Sequence, residues 1–347
     1  MPRTIVKVPI VKVLTLKILA WAVLALSIAA GAAQAQKLKI AEVVRSQLFT
    51  PVYLAIGEGF AKREGLDVEF VTANGGDRVG ALVLSGQANI GLAGPEVAIY
   101  IYNSESPDKP VMFCSINATD GFFLLSREKI ASFTWDKLQG RKIVGWRPGS
   151  TPELFFEYVL KERGVDPPTI KSIITNISPP AREGAWLSGN GDFGIFNEPS
   201  TTNLVSAGHA HVLASIGKEL GLAENTVLFA KKSWYENNRD VAQKLTNAVA
   251  RAQLWMRTHS DEQIAEAVAP YFPGIAKETT VSVMRRYREA GAPIFSHSTV
   301  IDPEGLAKLQ EIMVLGGVLP AEKKVAYDAI VAPEIATEAQ RLLQHKQ

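Results

Sequence analysis

From residue 37 onward, short alternating runs and glycine-closed helical stretches follow one another. Leu38-Lys39-Ile40 alternates as a strand. Thr50-Pro51 then opens a helix running to about residue 64, with Gly65 as its stop: a polar cap, a first-turn proline and a terminal glycine. Val68 and Phe70 alternate in a second strand, and Asp77 caps a helix through Leu84 closed by Gly86. A third strand is predicted at 88–92, a helix starts at Gly94-Pro95, and the apolar run 111–115 reads as a buried strand. After Asp120-Gly121 the pattern restarts, with strands at 122–125, 142–146, 170–175, 193–196 and 212–216. Between them fall a polar turn at 135–140, a helix from Thr151-Pro152 to Gly164, and shorter helices near 181–187 and 200–207. From 238 the pattern is almost wholly helical: Val241, Leu245, Ala248, Ala252 and Trp255 share one face, and Asp261 and Asp302 are candidate caps. Two successive α/β units and a helical C-terminal third predict an α/β protein of two lobes.

The first 35 residues stand apart from this pattern. Lys7, Lys12 and Lys17 precede an apolar run at 18–30 broken only by Ser27, and Ala33-Gln34-Ala35 fits a cleavage site with small residues at its selective positions. The run is shorter than the roughly 20 apolar residues of a membrane span, so an export signal cleaved after Ala35 is expected, with an uncleaved anchor as the alternative. Removing it changes the charge. The whole chain has 37 basic and 35 acidic residues; Arg3, Lys7, Lys12 and Lys17 leave with no acid, so the mature chain is net negative by two. The basic excess is thus a targeting feature, and nothing points to nucleic acid. The remaining chain of about 310 residues favours two domains.

Candidate chemistry gathers where helices begin, because ligands of open α/β units sit beyond the carboxyl ends of the strands. Thr50-Pro51, Gly94-Pro95, Thr151-Pro152 and Glu198-Pro199 each start a helix whose free N–H groups and dipole attract an anion or an oxygen-rich ligand. Gly75-Gly76-Asp77 and Gly149-Ser150-Thr151 are small-residue loops that allow close approach, and Ser46 and Gln47 follow the first strand as hydrogen-bond donors. Asn117, Thr119 and Asp120 fall where one unit gives way to the next; Trp146 and Trp186 are the better candidates for an aromatic wall. Arg45, Arg78, Arg147 and Arg182 would suit a carboxylate or sulfonate, whereas Asp77, Glu96, Asp120 and Glu198 would suit a ligand with N–H donors.

Enzyme signatures are weak. No H-E-x-x-H, nucleophile elbow, P-loop or complete dinucleotide fingerprint is present, and His209-Ala210-His211 supplies only two ligands for a metal. The single cysteine, Cys114, lies in an apolar run where it acts as a small hydrophobe, so neither a disulfide nor a reactive thiol is expected.

Residues 51–68 (PVYLAIGEGFAKREGLDV), 85–91 (SGQANIG), 138–143 (LQGRKI), 149–151 (GST) and 191–199 (GDFGIFNEP) are together similar to the nitrate/sulfonate/taurine-type solute-binding proteins of ABC importers, a superfamily that also binds thiamine-precursor pyrimidines. The resemblance, spanning 37–260, implies a type II periplasmic-binding fold with a double crossover hinge. Lobe one would be 36–119 plus 226–347 and lobe two 120–225, with crossings near 116–120 and 224–227. It implies a monomeric periplasmic protein without metal or cofactor, serving an ABC permease and its cytoplasmic ATPase. Its expected cleft is formed from Ser46, Gln47, Gly75, Gly76, Asp77, Gly94, Pro95, Glu96, Asn117, Asp120, Trp146, Gly149, Ser150, Thr151, Arg182, Trp186 and Glu198. The leading solute is a small organic anion, a sulfonate or carboxylate; the alternatives are a pyrimidine-like heterocycle and, behind it, a pyrimidine-synthesis-type enzyme of the same fold.

Overall fold

The computed structural model describes residues 36–344 apart from 168–171, 176 and 179–180, so the expected export signal and the first part of the strand predicted at 170–175 lie outside the described residues. From Lys37 onward the described residues form one compact unit built on two five-stranded sheets. Strands β1 (Gln36–Glu42), β2 (Leu66–Thr72), β3 (Ile90–Ala93) and β4 (Pro110–Asn117) enter the first sheet. Strands β5 (Phe123–Ser126), β6 (Lys142–Val144), β7 (Ser172–Ile174), β8 (Phe193–Phe196) and β9 (His211–Ser215) make the second, and β10 (Thr226–Lys231) returns to the first. The orders β2-β1-β3-β10-β4 and β7-β6-β8-β5-β9 follow one plan. Each sheet contains parallel pairs (β1 with β3; β6 with β7 and β8), and one antiparallel strand (β10 or β5) is set between neighbours. Strands β3, β4, β5 and β8 are buried along their whole length, as sheets covered on both faces require.

The chain passes between the sheets twice, after β4 and before β10, and the two crossings hydrogen-bond to each other. Asn225 N–H donates to Asn117 O (3.1 Å) and Ala223 N–H to Ala118 O (3.0 Å). Around the sheets lie helices α1 (Thr50–Gly57), α2 (Gly76–Leu84), α3 (Pro95–Asn103), α4 (Thr151–Glu162) and α5 (Ser200–Ser206). The C-terminal helices are α6 (Arg239–Thr258), α7 (Asp261–Val268), α8 (Lys277–Glu289), α9 (Pro303–Leu315) and α10 (Pro333–Gln344). They do not keep to one sheet: α6 packs on α1 and α10, whereas α8 touches α5 and α9 touches both α3 and α4.

Local chemistry moved several predicted boundaries. The helix expected to run from 50 to 64 breaks into α1 and a turn at Phe60–Arg63, because Gly59 takes φ +69°, a left-handed conformation outside the helix. Asp77 lies inside the first turn of α2, capped by Gly75, and its carboxylate is drawn away to an arginine. Ser260, not Asp261, caps α7, in a reciprocal capping box with Gln263. Asp302 does cap α9, accepting Gly305 N–H at 2.7 Å.

One buried cluster joins β1 to the C-terminal helices. Glu42, fully buried, accepts hydrogen bonds from Tyr53 Oη (2.5 Å) and Thr72 Oγ1 (2.6 Å) and pairs with Arg45 Nε (2.8 Å). The Tyr53 ring stacks on Tyr271 (5.1 Å between centroids) and meets Phe272 edge-on (5.3 Å). Burial raises the Glu42 carboxyl, while Thr72, Tyr53 and Arg45 pull it back. Replacing Tyr53 with Phe keeps the packing but removes a donor from a buried carboxylate. A loss of about 1–3 kcal/mol in urea unfolding is expected; an unchanged midpoint would show that Thr72 and Arg45 suffice.

Candidate functional site

Between the two sheets lies a cavity of about 430 Å³, facing the carboxyl ends of β1, β3, β6 and β8. Its apolar lining comes from both sides: Val43, Leu48, Phe49, Val97 and Ile101 from the first sheet's elements, Phe122 and Trp146 from the second's. The two rings meet edge-on at 5.0 Å. Asn225 and Thr226 close the end nearest the crossings.

Polar groups in the wall are bonded to each other across the gap. Arg147 donates two hydrogen bonds to Asp77, at 2.7 and 3.2 Å, and the missing side chain at Gly75 leaves room for its guanidinium. Burial raises the Asp77 carboxyl, but Arg147 together with the backbone N–H groups of Arg78 and Asp77 outweighs it, leaving it below the ordinary range. Tyr100 Oη donates to Gly149 O at 2.7 Å. Ser46 Oγ donates to Glu198 O (3.2 Å) and stands 3.1 Å from Asn197 Nδ2. Glu96 accepts from Thr151 N–H at 3.2 Å and from Thr151 Oγ1.

Of the residues singled out in the sequence, Ser46, Gly75, Gly76, Asp77, Gly94, Glu96, Trp146, Gly149, Ser150 and Thr151 come together in this lining. Arg147 and Pro152 line it as well, and the remaining members of the expected cleft do not. Pro95 is buried in the first turn of α3, beside the wall. Gln47 is buried and donates to Thr280 Oγ1 on α8 (2.8 Å), and Asn117 donates to Leu48 O (3.1 Å), so both tie elements together behind the cavity. Asp120 turns back to accept Phe122 N–H at 2.5 Å. Arg182 lies beneath the wall: its guanidinium is stacked 4.2 Å from the Trp146 ring, and it donates to Ile195 O. Trp186 is a core side chain, fully buried and edge-on to Phe196 at 5.5 Å, so of the two expected tryptophans only Trp146 lines the cavity, with Phe122 beside it. Glu198 faces away, accepting Thr202 N–H (2.9 Å) and pairing with Arg286 (2.9 Å).

Tyr100, Val97, Ile101, Asn197 and Asn225 escaped the sequence. Glu96, Val97, Tyr100 and Ile101 lie on adjoining faces of α3 at helical spacing, a signal available once Glu96 was chosen. Asn197 adjoins the predicted Glu198 and Asn225 the predicted crossing. Cys114 is buried in β4, and burial pushes its thiol well above the ordinary range. Among the described residues no group of three His, Cys, Asp or Glu side chains is placed to hold a metal ion, and no helix is long and apolar enough to cross a membrane.

Two paired sheets, two crossings and a cavity between them define the type II periplasmic-binding fold. The chain belongs to the family described as NMT1/THI5 like, which it matches over residues 46–263. It is 34% identical over 300 residues to YtlA of Bacillus subtilis (strain 168), named as a binding protein, covering 86% of this chain and 89% of that one. Among solved structures it is similar to the periplasmic nitrate-binding protein NrtA of Synechocystis PCC 6803 (TM-score 0.71, 17% identity, 90% of each chain). It is similar also to the alkanesulfonate-binding protein SsuA of Xanthomonas axonopodis pv. citri bound to MOPS (TM-score 0.69, 17% identity, 85% of this chain and 98% of that one).

Three buried acids around the cleft and crossings are pushed up by burial: Asp120 to about 7, Glu153 to about 7 and Glu224 to about 8. A carboxyl whose folded pKa exceeds its unfolded value near 4 stabilises the fold most at low pH, and that contribution fades as pH rises to the folded value. Thermal midpoints are therefore expected to fall between pH 5 and 8. Asp120→Asn keeps the acceptor for Phe122 N–H and should flatten the decline below about pH 7. A variant declining as steeply as the wild type would show that Asp120 ionises freely in the fold.

Proposed function

We propose that this protein is the solute-capturing component of an ABC importer, working in the periplasm and delivering its cargo to a permease whose ATPase partner drives uptake. Its family, its similarity to a named binding protein and the likeness of its fold to periplasmic binding proteins support that class. The two lobes close on the solute, and the bonds between Asp77 and Arg147, Tyr100 and Gly149, and Glu96 and Thr151 hold the closed form. No histidine or cysteine among the described residues lines the cavity, which favours capture over the pyrimidine-synthesis type of chemistry.

The solute we infer is a neutral or weakly basic, pyrimidine-like heterocycle in place of the sulfonate or carboxylate that the sequence ranked first. One observation carries this choice: among the described residues the single arginine in the wall, Arg147, is already bidentate to Asp77. The wall therefore offers an anion no unpaired cation. It offers a ring the Trp146 and Phe122 faces together with acceptor oxygens for N–H donors.

A thermal-shift screen of the purified protein against aminopyrimidines, alkanesulfonates and nitrate tests this, since a ligand of the folded state raises the midpoint. An aminopyrimidine is expected to do so, and Trp146→Ala to weaken its binding on the order of tenfold. Arg147→Ala should alter that affinity only a few-fold. A response to sulfonate or nitrate that Arg147→Ala abolishes would reverse the choice of solute. Turnover of the bound molecule would replace capture with catalysis.

A further inference from the structure

Glu96 is 5% exposed, yet it lines the cavity and reaches out of its own lobe. It sits in the first turn of α3, and its carboxylate meets Thr151, the first residue of α4, from the other side of the cleft. Oε1 accepts Thr151 N–H at 3.2 Å and Oε2 accepts the Thr151 hydroxyl. The N–H groups of Glu96 and Val97, at the head of α3, also act on the carboxylate. Burial raises this carboxyl, and everything that opposes the rise is an N–H or O–H donor from one of these two helix starts. At Gly94 a side chain would run into the Glu96 carboxylate and the Thr151 hydroxyl, so this residue leaves the space that the contact needs.

Two helix N-termini, one from each lobe, thus converge on a single protein carboxylate. Each would otherwise present free N–H groups and a positive dipole end to the cleft. We propose that Glu96 is the specificity-determining residue of the cleft: it is a built-in anion that occupies the place a solute anion would take and clasps the lobes together. The inference rests on the cavity being the solute site and deepens it. An entering anion would have to displace a covalently tethered carboxylate, whose effective concentration is high, whereas an uncharged ring needs only the apolar wall beside it.

The test is rescue by an external anion. Thermal midpoints of the wild type, Glu96→Ala and Glu96→Gln are compared in sodium formate and sodium chloride at equal ionic strength. Formate fits the space left in Glu96→Ala and should raise its midpoint over chloride by about 2 °C or more. The wild type and Glu96→Gln, whose sites are filled, should show no difference between the salts. No formate effect in Glu96→Ala, or the same effect in the wild type, overturns the proposal. If Glu96→Ala is unfolded in chloride, recovery of its circular dichroism in formate supports the clasp and continued unfolding overturns it. The choice of solute is read separately, in the wild-type aminopyrimidine response. A wild type that binds no heterocycle sinks that choice and leaves the formate comparison intact, whereas a formate-insensitive Glu96→Ala beside normal wild-type binding sinks the clasp alone.

Discussion

A buried carboxylate must be met by hydrogen-bond donors, and the head of a helix is a set of donors without partners. Both requirements are met together when an acid from one lobe caps a helix of the other, as Glu96 does at Thr151. The same solution recurs at the fourth helix start, where Glu198 accepts the N–H and hydroxyl of Thr202 within its own lobe and pairs with Arg286 of α8. Consequently the dipole ends that an open α/β unit turns toward its ligand are largely spent on the protein itself. What remains along the cavity is an apolar wall with the rings of Phe49, Tyr100, Phe122 and Trp146, and a few acceptor oxygens.

Closure depends on more than the cleft. The two crossings are bonded to each other, and Glu224 beside them is held by the Ser115 hydroxyl and Asp302 N–H. Helix α8 reaches from the first sheet's side to the second's, through Gln47 with Thr280 and through Arg286 with Glu198, and α9 touches both α3 and α4. In the proposed opening, separating the two sheets would also move these helices against α3, α4 and α5. The C-terminal third would thus take part in that motion as well as buttress one sheet.

The architecture was legible because its signals are local. A strand buried on both faces is an apolar run, a helix begins at a cap and ends at glycine, and two rounds of that grammar give two sheets. Ten of the expected residues line the cavity for the same reason, since strand ends and helix starts can be found one at a time. Partnership was not. Asp77 and Arg147 are 70 residues apart, Glu96 and Thr151 55 apart, and no local pattern says that they meet. Trp186 failed for a related reason: beside a loop it looks available, but its indole N–H is taken by His209 O and its ring by the core. Arg182 shows the opposite case, a charge near the site whose place is under the wall, steadying Trp146.

In the proposed reading these partnerships, and not fold likeness, decide the ligand's charge. NrtA and the Xanthomonas SsuA share this architecture at 17% identity and are described as binding nitrate and alkanesulfonate. In this chain the scaffold turns the heads of α3 and α4 toward the cavity. Whether they face a solute or a protein carboxylate turns on a few side chains at the heads of α3 and α4. A cleft whose anion is tethered keeps its charge balance when empty, so its affinity for a neutral solute is set mainly by buried apolar area and ring contact. Binding should then respond weakly to ionic strength, in contrast to a cleft that must attract its anion from solution.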